Sequence, residues 1–281
     1  MLITTGARTY VNTAETPSET TLLETRELTK EFKGFTAVRE VSLRVRRGTI
    51  HALIGPNGAG KTTLFNLLTG FLKPTGGKIF YGGRDITAVK ADEIARLGMV
   101  RSFQISAVFP HLSVLENVRV ALQRELGTTF HFWRSKRSLN VLDDRAAELL
   151  AEVGLGEFAH VPAAELPYGR KRALEIATTL ALDPDMLLLD EPTAGMGQED
   201  IALISELIQK TARTRTVLMV EHNLNVVRDL SNTITVMQRG AVLAEGSYAE
   251  VSQNPEVIEA YVGTDPAGTN EVGDHAGTRH V

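Results

Sequence analysis

Ile50-His51-Ala52-Leu53-Ile54-Gly55-Pro56-Asn57-Gly58-Ala59-Gly60-Lys61-Thr62-Thr63-Leu64 is the stretch that decides how the chain folds. It fits G-x-x-x-x-G-K-[ST] in full, and its setting fits too. An apolar run precedes the glycines, and Leu64, Leu67 and Leu68 follow at helical spacing, so strand, loop and helix come in order. Only backbone without Cβ wraps closely around phosphate oxygens, which explains Gly55, Gly58 and Gly60. The loop amides and the positive end of the following helix supply the field for an anion. Asn57, Gly58, Ala59, Gly60, Lys61, Thr62 and Thr63 are therefore the candidate cradle for a nucleoside triphosphate. Lys61 is expected to reach the β- and γ-phosphates, and the Thr62 hydroxyl to sit on Mg²⁺.

The remaining composition sets limits. The chain has 281 residues, 43% of them hydrophobic, enough for one large core or two modest ones. A net charge of -4 and a pI near 6.0 leave no electrostatic footprint for nucleic acid. The chain has no cysteine, which excludes disulfides, thiolate metal sites and a catalytic thiol. No run approaches the roughly 18–20 apolar residues of a membrane-spanning helix, and the Thr- and Glu-rich start lacks a signal-peptide core. The expectation is a chain on the cytoplasmic side that meets a membrane only through a partner.

Residues 1–20 read as a polar tail, as do 264–281, and 21–263 as a single nucleotide-binding domain. Val41, Leu43 and Val45 alternate with polar residues, the mark of a half-buried antiparallel strand. Phe32, upstream of the loop, is the candidate for stacking on a base, with an apolar sheet contact as its plainer role; Phe35 is assigned to packing. Met99 to Phe103 reads as a strand delivering Gln104. Helical periodicity runs from about Ser113 to Leu182, interrupted by the aromatic and basic segment Gly127 to Arg137. That segment suits either a headgroup or partner contact, or a loop packed on its neighbouring helix, and the second is the expectation. The fold class is α/β: a phosphate-loop NTPase core with a mixed, largely parallel sheet, an N-terminal antiparallel β subdomain and a helical subdomain inserted at about 106–182.

Two further strand ends carry acids. Met186 to Leu189 is fully apolar, as in a parallel strand buried on both faces, and ends in Asp190-Glu191. Below a phosphate loop, Asp190 suits Mg²⁺, and Glu191 would face the γ-phosphate and take a proton from water. Thr216 to Val220 ends in Glu221-His222. If the two strands run parallel, His222 reaches the same crevice and senses the γ-phosphate.

In this order Phe32, Gly55 to Thr63, Gln104, Leu166 to Arg170, Asp190-Glu191 and His222 resemble the ATP-binding subunits of ABC transporters, over about Leu22 to Gly263. Arg101 to Gln104, Leu115 to Val118, Leu166 to Gly169 and Asn254 to Tyr261 look like the branched-chain amino-acid branch of bacterial uptake systems. The resemblance implies ATP and Mg²⁺ as ligands, hydrolysis by Lys61, Glu191, His222 and Gln104, and Gln104 beside Thr62 and Asp190 at the metal. It implies that Leu166, Tyr168, Gly169 and Arg170 face the ATP of a second ATPase subunit, head to tail. It also implies membrane-spanning permease subunits, an external substrate-binding protein reached indirectly, and a place on the inner face of the cell membrane. Pro167 replaces a customary serine, Arg170 a customary glutamine and Gly197 a customary aspartate, which points to a related but different partner ATPase. A ribosome- or DNA-associated ATPase would call for two nucleotide domains or a long coiled-coil insert. A non-hydrolysing regulatory module is at odds with intact Lys61, Gln104, Asp190, Glu191 and His222.

Overall fold

The computed structural model describes residues 20–102, 108–123 and 136–262, the side chains of 136–141 and of 262 excepted. A long hairpin opens it, β1 (Thr21–Phe32) and β2 (Phe35–Arg46). Lys33 (φ 48) and Gly34 (φ 88) turn it with both central residues left-handed, the twist that matches two paired strands. β3 (Ile50–Ile54) leads through the glycine loop into α1 (Lys61–Leu68). β4 (Gly76–Tyr81), β5 (Arg84–Asp85), α2 (Ala91–Arg96) and β6 (Met99–Ser102) follow. Three helices come next, α3 (Val114–Gln123), α4 (Lys136–Glu152) and α5 (Tyr168–Leu180). β7 (Met186–Asp190), α6 (Gln198–Ala212), β8 (Thr216–Val220) and α7 (Leu224–Leu230) alternate strand with helix. A second hairpin, β9 (Thr233–Gln238) and β10 (Ala241–Gly246), and the short helices α8 (Tyr248–Ser252) and α9 (Pro255–Val262) close the described chain.

The strands make two sheets. One is antiparallel, in the order β2-β1-β4-β5. The other runs β10-β9-β3-β8-β7-β6, parallel throughout except for the β9–β10 hairpin, which bears out the expected mixed sheet. Every residue of β3, β7 and β8 is buried, so these apolar runs serve two cores at once. Alternation divides them: Ala52, Leu187, Leu189, Val217 and Met219 face the core built with α3, α4, α5 and α6. Leu53, Met186, Leu188, Leu218 and Val220 face the core shared by α1 and the antiparallel sheet.

Three readings need correction. Phe35 does not pack; it is 68% exposed at the hairpin tip, because the tip extends past the sheet it would have to cover. Lys136 and Arg137 belong to the first turn of α4, not to a loop; the rest of the Gly127 to Ser135 segment lies outside the described residues. α6 and α7 were not read from the sequence; α7 starts at Asn223, whose side chain accepts from Asn225 N and Val226 N.

A polar chain crosses the buried sheet beside the loop. His51 Nε2 lies 2.7 Å from Thr235 Oγ1, and that hydroxyl donates to Glu245 Oε2 at 2.7 Å. The hydroxyl has one proton, so it accepts from His51, which fixes the Nε2–H tautomer. Burial, and after it the positive charge of Arg46, push the His51 pKa down to about 4. The unfolded chain therefore binds a proton on His51 that the folded chain refuses between pH 6.5 and about 4, and stability falls as pH drops through that window. His51→Gln, which keeps a donor for Thr235, should lose about 2 kcal/mol less than the wild type between pH 7 and pH 5 in urea denaturation. Parallel losses in the two proteins would show that His51 is not the group responsible.

Candidate nucleotide site

The loop after β3 is wedged between the two sheets. Gly55 (φ 147) approaches the Met237 carbonyl so closely that a Cβ would lie 2.1 Å from its oxygen, and at Gly60 (φ 100) a Cβ would lie 2.5 Å from the Ala37 oxygen. Gly58 (φ 78) has nothing within 4 Å of a would-be Cβ, so the middle of the loop opens outward. Asn57, Gly58 and Thr62 are exposed, Thr63 is half-buried and Ala59 is buried against the core. The buried Lys61 curls back so that Nζ donates to the carbonyls of Gly55 (2.7 Å) and Pro56 (3.0 Å). Burial lowers its pKa, while the charges of Glu191 and Asp190 act in the opposite direction.

Opposite the loop, β7 and β8 run parallel with Asp190 paired to Val220, so their ends present side by side. Asp190 is buried, and its Oδ2 accepts from Arg101 Nη2. Arg101 Nη1 also donates to Asn66 Oδ1 on α1 at 2.6 Å. Arg172 Nη2 donates to the Asp190 carbonyl at 2.9 Å. Asp190 Oδ1 is buried and has no hydrogen-bond partner. A buried carboxylate oxygen left bare is costly, and a hard divalent cation is the partner that suits it. With the exposed Thr62 hydroxyl at the start of α1, the residues fit Mg²⁺.

Glu191 takes a left-handed backbone (φ 47), held by its N–H donating to Val220 O at 2.9 Å. This turn directs its carboxylate to His222, with Oε1 2.9 Å from Nε2. Both side chains are partly open to solvent, Glu191 at 31% and His222 at 42%. Lys61, Asp190, Glu191 and His222 are thus gathered around one crevice, as their order in the sequence implied. Gln104 lies outside the described residues.

Phe32 closes β1 at 41% exposure with Lys30 Nζ 5.0 Å from its ring centroid, so an open aromatic face is present at the hairpin tip. The Leu166 to Arg170 segment forms a separate feature. Leu166 is buried, and α5 starts at Tyr168, whose hydroxyl donates to Ala194 O at 3.3 Å. A Cβ on Gly169 would stand 2.2 Å from Asp200 Oδ1, so a carboxylate from α6 packs against that helix start. The Arg170 guanidinium, offered by the sequence as a phosphate donor, is stacked on Phe158 at 4.1 Å.

A family model described as "ABC transporter" matches residues 38–194, and one described as "Branched-chain amino acid ATP-binding cassette transporter" matches 241–267. The high-affinity branched-chain amino acid transport ATP-binding protein BraF of Pseudomonas aeruginosa is 42% identical over 252 residues, covering 86% of this chain and 98% of that protein. LivG of Escherichia coli K12, whose name carries the same description, is 40% identical over 249 residues, with 86% and 98% covered.

The chain belongs to the ABC transporter family.

Solved structures agree. The ATP-binding cassette MJ1267 in its ADP conformation superposes with a TM-score of 0.77 at 30% identity, covering 86% of this chain and 99% of that one. A dimeric, post-hydrolysis MJ0796 cassette bound to ADP and Pi superposes at 0.68 with 26% identity, covering 81% and 99%. As a family member the chain is an ATPase coupled to transport.

Arg101, Arg172, Thr193 and Glu221 were not singled out from the sequence as site residues. For Arg101 and Glu221 the available signal is position: a charge at the end of an apolar, buried strand must have a partner there. Arg101→Met would leave Asp190 buried without its cation. In nucleotide-free and Mg²⁺-free buffer we expect a loss of about 3–5 kcal/mol in urea unfolding. A loss under 1 kcal/mol would mean that the pair contributes little.

Proposed function

We propose that this chain is the ATP-hydrolysing subunit of an importer for branched-chain or other hydrophobic amino acids, working at the cytoplasmic face of the cell membrane. The observation that carries the reading is the Glu191–His222 contact opposite the Lys61 loop, in a chain so similar to BraF and LivG over nearly their whole length.

The chemistry follows from the residues. ATP phosphates entering the loop offer Lys61 charged acceptors in place of the Gly55 and Pro56 carbonyls, and charge-assisted bonds are roughly twice as strong. Phe32 takes the adenine face. Glu191 accepts a proton from the attacking water, and His222 donates to the γ-phosphate and holds it in line. Phosphate departs from the β-phosphate oxygen, leaving ADP in the loop. Mg²⁺, held by Thr62, Asp190 and Gln104, would neutralise phosphate charge.

We take the working unit to be a pair of ATPase subunits, each ATP lying between one loop and the other subunit's Leu166 to Arg170 segment. With no N–H on Pro167 and Arg170 stacked on Phe158, phosphate donors on that segment come from the amides of Gly169 onward. That departure, together with Gly197, supports a related but different second subunit.

Among the described residues no helix is long and apolar enough to cross a membrane, so transport requires a permease. A groove of about 510 Å³ between α2, β6, α3 and α5 suits a permease segment, with Phe71 and Phe109 more than half exposed along it. The inserted helical subdomain, about 106–182, would relay closure of the pair to this groove. An external binding protein would deliver the amino acid to the permease.

Glu191→Gln should keep ATP affinity within a few-fold and lower kcat by about 10²–10⁴; unchanged hydrolysis would move the base elsewhere. With its permease pair and binding protein in proteoliposomes, the wild type should drive ATP-dependent uptake of labelled leucine. Phe109→Asp should stop uptake while leaving the chain's own hydrolysis in place. ATP hydrolysis with no uptake of any hydrophobic amino acid would overturn the substrate assignment.

A further inference from the structure

Glu221 is 2% exposed and lies one residue before His222. Its carboxylate accepts four hydrogen bonds. Oε1 takes the N–H and the hydroxyl of Thr193, at 3.0 and 2.5 Å. Oε2 takes the N–H groups of His222 and Asn223, at 2.8 and 3.1 Å. One oxygen thus holds the loop two residues after Glu191, and the other holds the turn that carries His222.

We infer that Glu221 is a positioning residue for hydrolysis: one buried carboxylate clamps the Glu191 loop to the His222 turn and sets the 2.9 Å contact between base and imidazole. This rests on the assignment of Glu191 and His222 above. Three features make the clamp specific. All four donors are on the two segments whose relative placement matters, and none is on the phosphate loop. A carboxylate is acceptor-only, so both oxygens satisfy two donors each; an amide cannot, since its NH₂ would meet either the Thr193 donors or the two main-chain N–H groups. The two segments leave different strands, β7 and β8, and the Glu191 N–H to Val220 O is the last main-chain bond that ties them together. Glu191 already sits in a left-handed backbone that an L residue resists, so its turn needs an outside hold. A change of about 1 Å between reacting groups costs on the order of 10²-fold in rate, which is the scale at which such a clamp matters.

The test uses the full chain with Glu221→Gln, Thr193→Val, Glu191→Gln and the Glu221→Gln/Glu191→Gln pair. Steady-state ATPase activity, ADP affinity by fluorescent analogue and thermal midpoint are read for each. Glu221→Gln should lower kcat at least tenfold while ADP affinity, set by the untouched loop, stays within twofold. Thr193→Val, which removes only the hydroxyl bond, should lower kcat several-fold and covers the case in which Glu221→Gln does not fold. In the Glu191→Gln background the second change should cost nothing more, because the pair it positions no longer works. Full kcat in either single variant overturns the inference. So does a fall in ADP affinity in step with kcat, or an additive loss in the double variant, because each would mean a general structural role. If Glu191→Gln itself hydrolyses normally, the fault lies in the assignment of the base and not in the clamp.

Discussion

Three main-chain segments meet where no side chain fits, and the architecture depends on that meeting. Gly240, in the β9–β10 turn, donates its N–H to Ala59 O at 3.0 Å, and its carbonyl accepts from Arg39 N on β2 at 2.7 Å. A Cβ on Gly240 would lie 2.8 Å from Ala37 O, the same carbonyl that Gly60 approaches. Loop, mixed sheet and antiparallel sheet are therefore joined at backbone distance, through glycines that all have positive φ. The loop is rigid at Gly55 and Gly60 and open at Gly58. Packing that fixes the loop backbone at Gly55 and Gly60 lowers the entropic cost of binding an anion there.

The acid side is fixed in another way. Asp190 is gripped at its carboxylate by Arg101 and at its carbonyl by Arg172, and Arg172 also donates to Glu175 at 2.6 Å. Arg101 and Glu175 both border the groove between α3, α5 and β6. Arg101 thus both grips the Asp190 carboxylate and borders that groove, and Arg172 is linked to the groove through Glu175. Arg101 further ties Asp190 to Asn66 on α1, so the phosphate-loop helix and the acid strand share one guanidinium.

Much of this was legible in the sequence because it depends on local patterns. The loop announces itself by glycine spacing, and β3, β7 and β8 by apolar runs too short for helices. The expectation that His222 reaches the crevice of Asp190 and Glu191 rests on a single inference, that two apolar runs ending in acids lie parallel and adjacent. The missed features depend on tertiary contacts. Nothing local distinguishes Phe35, fully exposed in effect, from Phe32 beside it; the difference lies in where the sheet ends. Arg170 looks like a free cation until Phe158 is brought under it. Glu221 reads as the less interesting neighbour of a histidine, since the donors that define it, on Thr193, are 28 residues away in sequence.

The distribution of charge indicates how ATP is told from ADP. Lys61 holds two carbonyls with one of its three ammonium donors to spare, and the loop amides serve any diphosphate, so the amides do not separate the two nucleotides. If Glu191 and His222 face the γ-phosphate as we propose, these two partly exposed groups separate ATP from ADP. A carboxylate alone would repel that phosphate. Paired with the imidazole it need not: His222 Nε2 lies 2.9 Å from Glu191 Oε1, and an imidazole N–H turned to the phosphate would offset the carboxylate's charge. The left-handed backbone at Glu191 and the hydrogen bonds around Glu221 constrain the placement of that pair, more than they add to the core. A site built this way spends stability on the geometry of two side chains, because the difference between its substrate and its product is a single phosphoryl group.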